Sequence, residues 1–166
     1  MLKNKIFLGF LLLCGLFAAC EKKKDFDPDA QLEIDKAIIK KYLDALPAGT
    51  VDMTADPSGL SYQILSSGTT PFPKLTDSIQ VSYKGRVLGA NNTFEDIPLD
   101  KPISLKLDAL MPGWQIALPK IAKGGQIRMI IPSTLAYKNF SQGTSIPPYS
   151  ILDYTVTLVD INKKTK

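Results

Sequence analysis

The sequence contains no histidine. Imidazole is the usual general base near neutral pH and the commonest transition-metal ligand, so its absence argues against triad hydrolases and ordinary zinc enzymes. Only two cysteines occur, Cys14 and Cys20, both near the N-terminus. Neither can cross-link the body of the chain, and no disulfide framework is available. Basic residues are not clustered beyond Lys22 to Lys24. The formal charge is +4, but Lys3 and Lys5 lie in a segment read below as removable, which leaves 18 basic against 16 acidic residues, or +2. A nucleic-acid face needs clustered cations, so nucleic acid is not expected as a partner. No internal repeat or low-complexity block is present, and 166 residues suit one globular domain with extensions.

What is present centres on the stretch from Leu110 to Tyr137, LMPGWQIALPKIAKGGQIRMIIPSTLAY. It holds the single tryptophan, Trp114, after a Pro-Gly start signal, then a short apolar-periodic segment, a Gly124-Gly125 turn and an alternating strand ending in proline. That order reads helix, turn, strand. On the strand, Ile127, Met129 and Ile131 share one face, which is suited to packing against the helix. A large amphipathic ring at Trp114 suits a core position and a ligand platform equally, and spacing alone does not choose.

The N-terminus has a short basic start, an apolar run from Ile6 to Phe17, and Ala18-Ala19 directly before Cys20. This is a signal-peptide pattern; the apolar run is at the short end for a membrane helix and charge follows at once. The segment resembles a bacterial lipoprotein signal, with Cys20 as the lipidated first residue of the mature chain, although Phe17 is unusual for that motif. EKKKDFDPDA then reads as a solvated tether, with a surface-export signal of the kind found in lipoproteins of the Bacteroidetes group as the other reading. From about Asp29 to Leu46 the pattern is helical, with Leu32, Ile38, Ile39, Tyr42, Leu43 and Leu46 on one stripe and charges opposite. Pro47 and Gly49 end it. Such a helix could pack on its own domain, pair with another copy, or act as a spacer; the first leaves its stripe covered.

Beyond Ser58 the period becomes two. Leu60, Tyr62 and Ile64 share a face, as do Ile79, Val81 and Tyr83, then Ile103, Leu105 and Leu107, then Leu152, Tyr154, Val156 and Leu158. Short strands and one short helix argue for an α+β fold, an antiparallel sheet with a helix against one face.

The pieces SGLSYQIL, VSYKG, TFED, LMPGW, KGGQIRMIIPSTLAY and IPPYSILDYTVTLVDI, in this order, together resemble an FKBP-type peptidyl-prolyl cis-trans isomerase. The resemblance runs from about Ser58 to Ile161. It implies a half-open antiparallel sheet wrapped around the short helix, preceded here by the N-terminal helix and tether. The domains expected are residues 1–19 as signal peptide, 20–57 as lipidated tether with helix, 58–162 as isomerase domain and 163–166 as tail. The resemblance also implies site roles. Trp114 would be the floor under a substrate's proline ring, with Tyr83 and Tyr154 at the bottom and side and Phe94 as a wall. Leu110 and Met111 would face the bound peptide, Ile103 would be a second wall, Ile146 would close the pocket, and Tyr137 would offer its hydroxyl to a substrate carbonyl. Glu95 reads as an exposed turn carboxylate or as a pocket hydrogen-bonder.

The function implied is prolyl isomerisation of unfolded or partly folded exported proteins, in a cell envelope to which the chain is anchored through a lipid on Cys20. It requires no cofactor and no metal, so the missing histidine is no objection. Four positions depart from the family pattern. Phe94-Glu95 stands where Phe-Asp is usual, Ile103 where an aromatic wall is common, and Lys138 where Gly follows Ala-Tyr. Pro119 sits near the end of the short helix, where it removes a backbone donor and should stop the helix early. These departures leave room for two other readings: a peptide-binding or holdase lipoprotein with little turnover, or a scaffold without affinity for prolyl peptides.

Overall fold

The computed structural model describes residues 26–47, 49 and 52–162. The signal segment, both cysteines and the tail at 163–166 lie outside the described residues, so the readings made for them are carried by the sequence alone. Helix α1 spans Pro28–Asp44. Its start follows from two local signals: Pro28 occupies the first turn, where its missing N–H is no loss, and the Asp27 carboxylate accepts hydrogen bonds from the Asp29 and Ala30 amides.

The strands are β1 (Thr54–Ala55), β2 (Ser61–Ser66), β3 (Ser78–Val87), β4 (Glu95–Ile97), β5 (Ile103–Lys106), β6 (Gln126–Ile131) and β7 (Leu152–Asn162), with a short helix α2 at Pro112–Ala117. All pairings are antiparallel, in the order β1-β2-β6-β7-β3-β4, and β5 shares the outer edge of β3 with β4. The α+β expectation therefore holds, with a seven-stranded antiparallel sheet and a short helix against it.

Register explains the core. Tyr83 stands opposite Val156, Gly85 opposite Tyr154, and Met129 opposite Tyr154 on the other side. Alternation then turns Ile79, Val81, Tyr83, Ile127, Met129, Ile131, Leu152, Tyr154, Val156 and Leu158 inward, and all are buried with Trp114 in one cluster. A register shift admits Val159 as an extra residue in β7, since Gln80 pairs with Asp160 but Val81 with Leu158. The inward face thereby passes from Leu158 to Ile161, keeping the strand end in the core.

Three local expectations need correction. Ile64 is 42% exposed, because it lies beyond the end of β1, where the register with β6 begins to shift. On α1, Ile38 is 48% exposed while Asp35 is fully buried. The helix touches the sheet along Asp35 and Ile39, a stripe narrower than the sequence pattern, so a charge sits inside it and Ile38 outside. Leu107 is buried as expected but belongs to a 3-10 turn, Leu107–Ala109, past the end of β5. Of the options for α1, the fold selects packing on its own domain: Ile39 joins Ile130 and Ile151 in a second cluster on the sheet's outer face.

Candidate active site

The site is built at the start of α2. Pro112 occupies the first turn and Met111 precedes it as N-cap. Gly113 allows the helix to sit directly on β6, since a Cβ there would collide with the Ile131 side chain. The Gln115 side-chain amide donates to the Leu110 carbonyl at 2.6 Å and to that of Asp108 at 3.2 Å, fixing the turn that presents Leu110 and Met111. Pro119 acts as expected: the α-helix ends at Ala117 and the chain continues as a 3-10 turn, Leu118–Lys120.

Trp114 is 3% exposed. The rings of Tyr83 and Tyr154 meet it nearly perpendicular, at centroid distances of 5.1 and 5.2 Å, and Phe94 meets Tyr154 at 5.6 Å. Edge-to-face contacts of this kind add stabilisation beyond the area buried. Gly85 makes the cluster possible, because any Cβ there would lie 2.6 Å from Tyr154 and 2.7 Å from Phe94. The rings and their neighbours enclose a cavity of about 150 Å³ lined by Tyr83, Glu95, Leu105, Leu110, Met111, Trp114, Tyr137 and Tyr154. That is room for a single small ring, several times the ~30 Å³ share of one water. A larger depression of about 780 Å³ lies on the outer face among Ser82, Lys84, Thr155 and Thr157. Ile97, Pro98 and Leu99 line it together with hydroxyls and the Lys84–Asp96 ion pair, and it lacks the indole floor.

Seven of the ten expected side chains thus line one cavity. Phe94 is the wall behind Tyr154. Ile103 and Ile146 pack with the same cluster without lining the cavity, Ile146 being 5% exposed. Leu105 lines it instead; it shares the strand face of Ile103, which was the available signal. Gln115 was also missed, and its position one residue after the tryptophan is the only hint in the sequence.

Glu95 is exposed and lines the cavity beside Tyr83. Burial first, and then the hydrogen bond and charge of Glu95, push the Tyr83 hydroxyl well above the ordinary tyrosine range. Burial raises Tyr154 still more strongly, with the neighbouring Tyr137, Tyr83 and Glu95 adding to it. Tyr137 is also raised, by burial and then by Glu95, and its hydroxyl shares a hydrogen bond with that of Tyr154. The site therefore offers neutral hydroxyls over an aromatic floor. Lys138 keeps the turn that glycine would favour, at φ 57°.

Residues 69–159 match the family described as FKBP-type peptidyl-prolyl cis-trans isomerase. The chain belongs to that family. It is 36% identical over 109 residues to the FKBP-type isomerase FkpA of Escherichia coli K12, covering 66% of this chain and 40% of that protein. The crystal structure of E. coli FkpA superposes with a TM-score of 0.65 at 32% identity, over 82% of this chain and 65% of that one. A peptidyl-prolyl isomerase from Pseudomonas syringae pv. tomato gives 0.66 at 25% identity, over 84% of this chain and 98% of that one. The outer membrane protein MIP of Legionella longbeachae is 30% identical over 107 residues, covering 64% of this chain and 46% of that protein. The chain spans less than half the length of these two curated relatives.

Proposed function

We propose that this protein is a peptidyl-prolyl cis-trans isomerase acting on proline-containing, unfolded or partly folded exported proteins. The observation that carries this reading is the cavity over Trp114, sized for one ring and walled by Tyr83, Tyr154 and Tyr137. Rotation about an X-Pro bond meets a barrier of about 18–20 kcal/mol, because amide resonance is lost at the twisted geometry. No bond is made or cut. A twisted imide has less charge separation than a planar one, so a dry, aromatic site favours it over the ground state. In this reading Trp114 supports the proline ring, Phe94, Ile103, Leu105 and Ile146 form the apolar surround, and Leu110 and Met111 face the peptide. The Tyr137 hydroxyl donates to a substrate carbonyl, and Glu95 orients Tyr83. Uncatalysed isomerisation takes tens to hundreds of seconds and can limit folding, which gives such an enzyme its clients.

The proposed place of action is the cell envelope. The Cys20 motif and the outer-membrane name of the Legionella protein support a lipid-anchored position in a bacterial envelope; among the described residues no helix is long and apolar enough to cross a membrane. Lipid labelling of wild type beside Cys20→Ser, with protease access on intact cells, tests anchoring and side together.

The isomerase reading is tested by peptide isomerisation and by a proline-limited refolding reaction, with wild type beside Trp114→Leu and Tyr83→Phe. Wild type should accelerate both. Trp114→Leu should lose about a hundredfold in kcat/KM if it remains folded, since misplacing the bound ring by about 1 Å suffices for that. Tyr83→Phe should lose only a few-fold. Folded wild type with no acceleration across several residues before proline would sink the reading and leave a peptide-binding module.

A further inference from the structure

We infer that Asp35 is a positioning residue for Tyr137, through which helix α1 holds the loop that carries this hydroxyl into the site. The inference rests on the isomerase reading for its catalytic consequence, while its structural half stands on the contacts themselves. Asp35 lies outside the residues that match the family, and it is fully buried. Its Oδ2 accepts hydrogen bonds from the Ser133 amide at 2.7 Å and the Ser133 hydroxyl at 2.6 Å, and its Oδ1 accepts from Gln31 Nε2 at 2.8 Å. Ser133 begins the 3-10 turn Ser133–Leu135, which is followed by Ala136 and then Tyr137. Its carbonyl in turn accepts from the Ala136 amide at 3.0 Å and the Lys138 amide at 2.8 Å. The residues on both sides of Tyr137 therefore hang from one serine, and that serine hangs from Asp35.

The same N-terminal segment holds the far side of the loop. The Lys138 carbonyl accepts from the Tyr149 amide at 2.8 Å, and the Tyr149 ring lies 6.2 Å from that of Phe26, next to the helix N-cap. A buried carboxylate is costly unless donors satisfy it, and an apolar side chain at position 35 would continue the stripe of Leu32 and Ile39 at lower cost. Packing of Ile39 on Ile130 and Ile151 already docks the helix. What the carboxylate adds is direction: charge-assisted bonds are short and angular, so they fix where the turn sits and hence where the Tyr137 hydroxyl points.

The test measures kcat/KM of the full chain for Asp35→Ala, Asp35→Asn, Tyr137→Phe and the Asp35→Ala/Tyr137→Phe double variant, with thermal unfolding of each. Folded Asp35→Ala should lose about tenfold, and adding Tyr137→Phe should cost little more than Tyr137→Phe alone, because the two changes act on one hydroxyl. Asp35→Asn should recover most of the loss, since Gln31 can turn its amide and leave an oxygen for Ser133. Wild-type turnover in folded Asp35→Ala, or losses that multiply in the double variant, would overturn the inference. If Asp35→Ala does not fold, Ser133→Ala removes only the hydroxyl bond and is read the same way, at about threefold. If wild type itself does not turn over, the isomerase reading falls, and hydrogen exchange at the Lys138 amide decides between Asp35→Asn and Ser133→Ala beside wild type. Exchange about tenfold faster in Ser133→Ala, and near wild type in Asp35→Asn, supports the inference; no change in Ser133→Ala overturns it.

Discussion

Successive residues of β7 look in opposite directions and meet opposite chemistry. Tyr154 faces in, against Trp114, Tyr83 and Phe94. Asp153 faces out, 2% exposed, where it accepts from Arg86 and from both Nε and Nη2 of Arg128. The inner face at this point thus packs rings without strong directionality around a cavity, and the outer face holds a buried carboxylate by directional charged contacts. The difference tracks what each face does. Under the isomerase reading, a cavity for proline rings gains from apolar walls, whereas a helix that docks in one place gains from bonds with defined angles. The central strand β6 shows the consequence in sequence: Ile130 and Ile131 are both buried because each face of the sheet is covered there.

The strongest way to break the comparison is Asp153→Ala. It leaves Arg128, whose side chain is only 15% exposed, without its carboxylate. Removing one partner of such a pair costs about 3 kcal/mol, while Arg86, 40% exposed, adds little. Chemical denaturation should show that loss, and kcat/KM of the folded variant should stay within about twofold of wild type. A large fall in turnover would mean that the faces are not separate at β7. Asp35→Ala is the deliberate contrast, an outer-face carboxylate whose loss should reach the site because its acceptor chain leads to Tyr137.

How much of this was legible depends on range. Alternation in β3 and β7 placed Tyr83 and Tyr154 on the inner face, and the order of motifs around Trp114 placed the cavity. Both depend on neighbours close in sequence or on period alone. Asp35 was not legible, because an amphipathic pattern assigns a charge to solvent unless a partner is known. Its partner, Ser133, is 98 residues away. Ile64 failed for a related reason: period two gives the face but not where the covering ends. Glu95 was legible in kind but not in reach, since only the geometry says whether a carboxylate at that turn meets Tyr83.

A smaller effect separates the faces by pH. The inner hydroxyls of Tyr83, Tyr137 and Tyr154 are all raised, so they keep their protons throughout neutral and mildly alkaline solution. Turnover should be flat between about pH 6 and 9, which a pH–rate profile checks; a bell-shaped profile would show that a group titrating in that range takes part in turnover. Stability behaves differently. Asp56, bonded to the Ser58 amide and hydroxyl and to Lys120, is held below the usual carboxylate range, as is Asp160 beside Lys123 and the Ile161 amide. A depressed folded value contributes stability fully above the unfolded value of about 3.9, and that contribution disappears as pH falls through the lower folded value. Thermal midpoints should therefore hold down to about pH 5 and fall below about pH 4.

The smallest predicted effect lies where the faces meet, at Lys138. Its φ of 57° is imposed from both sides: its amide donates to Ser133 and its carbonyl accepts from Tyr149. A side chain in this left-handed region costs roughly 1–2 kcal/mol, and glycine avoids that cost while losing more freedom on folding. Lys138→Gly should therefore stabilise the fold by no more than about 1 kcal/mol, read as a small rise in denaturation midpoint. Because the loop is held by its backbone bonds and not by the lysine side chain, turnover should not change by more than about twofold. A marked loss of turnover with a gain in stability would show that the lysine side chain itself, and not only the turn it completes, takes part in holding substrate.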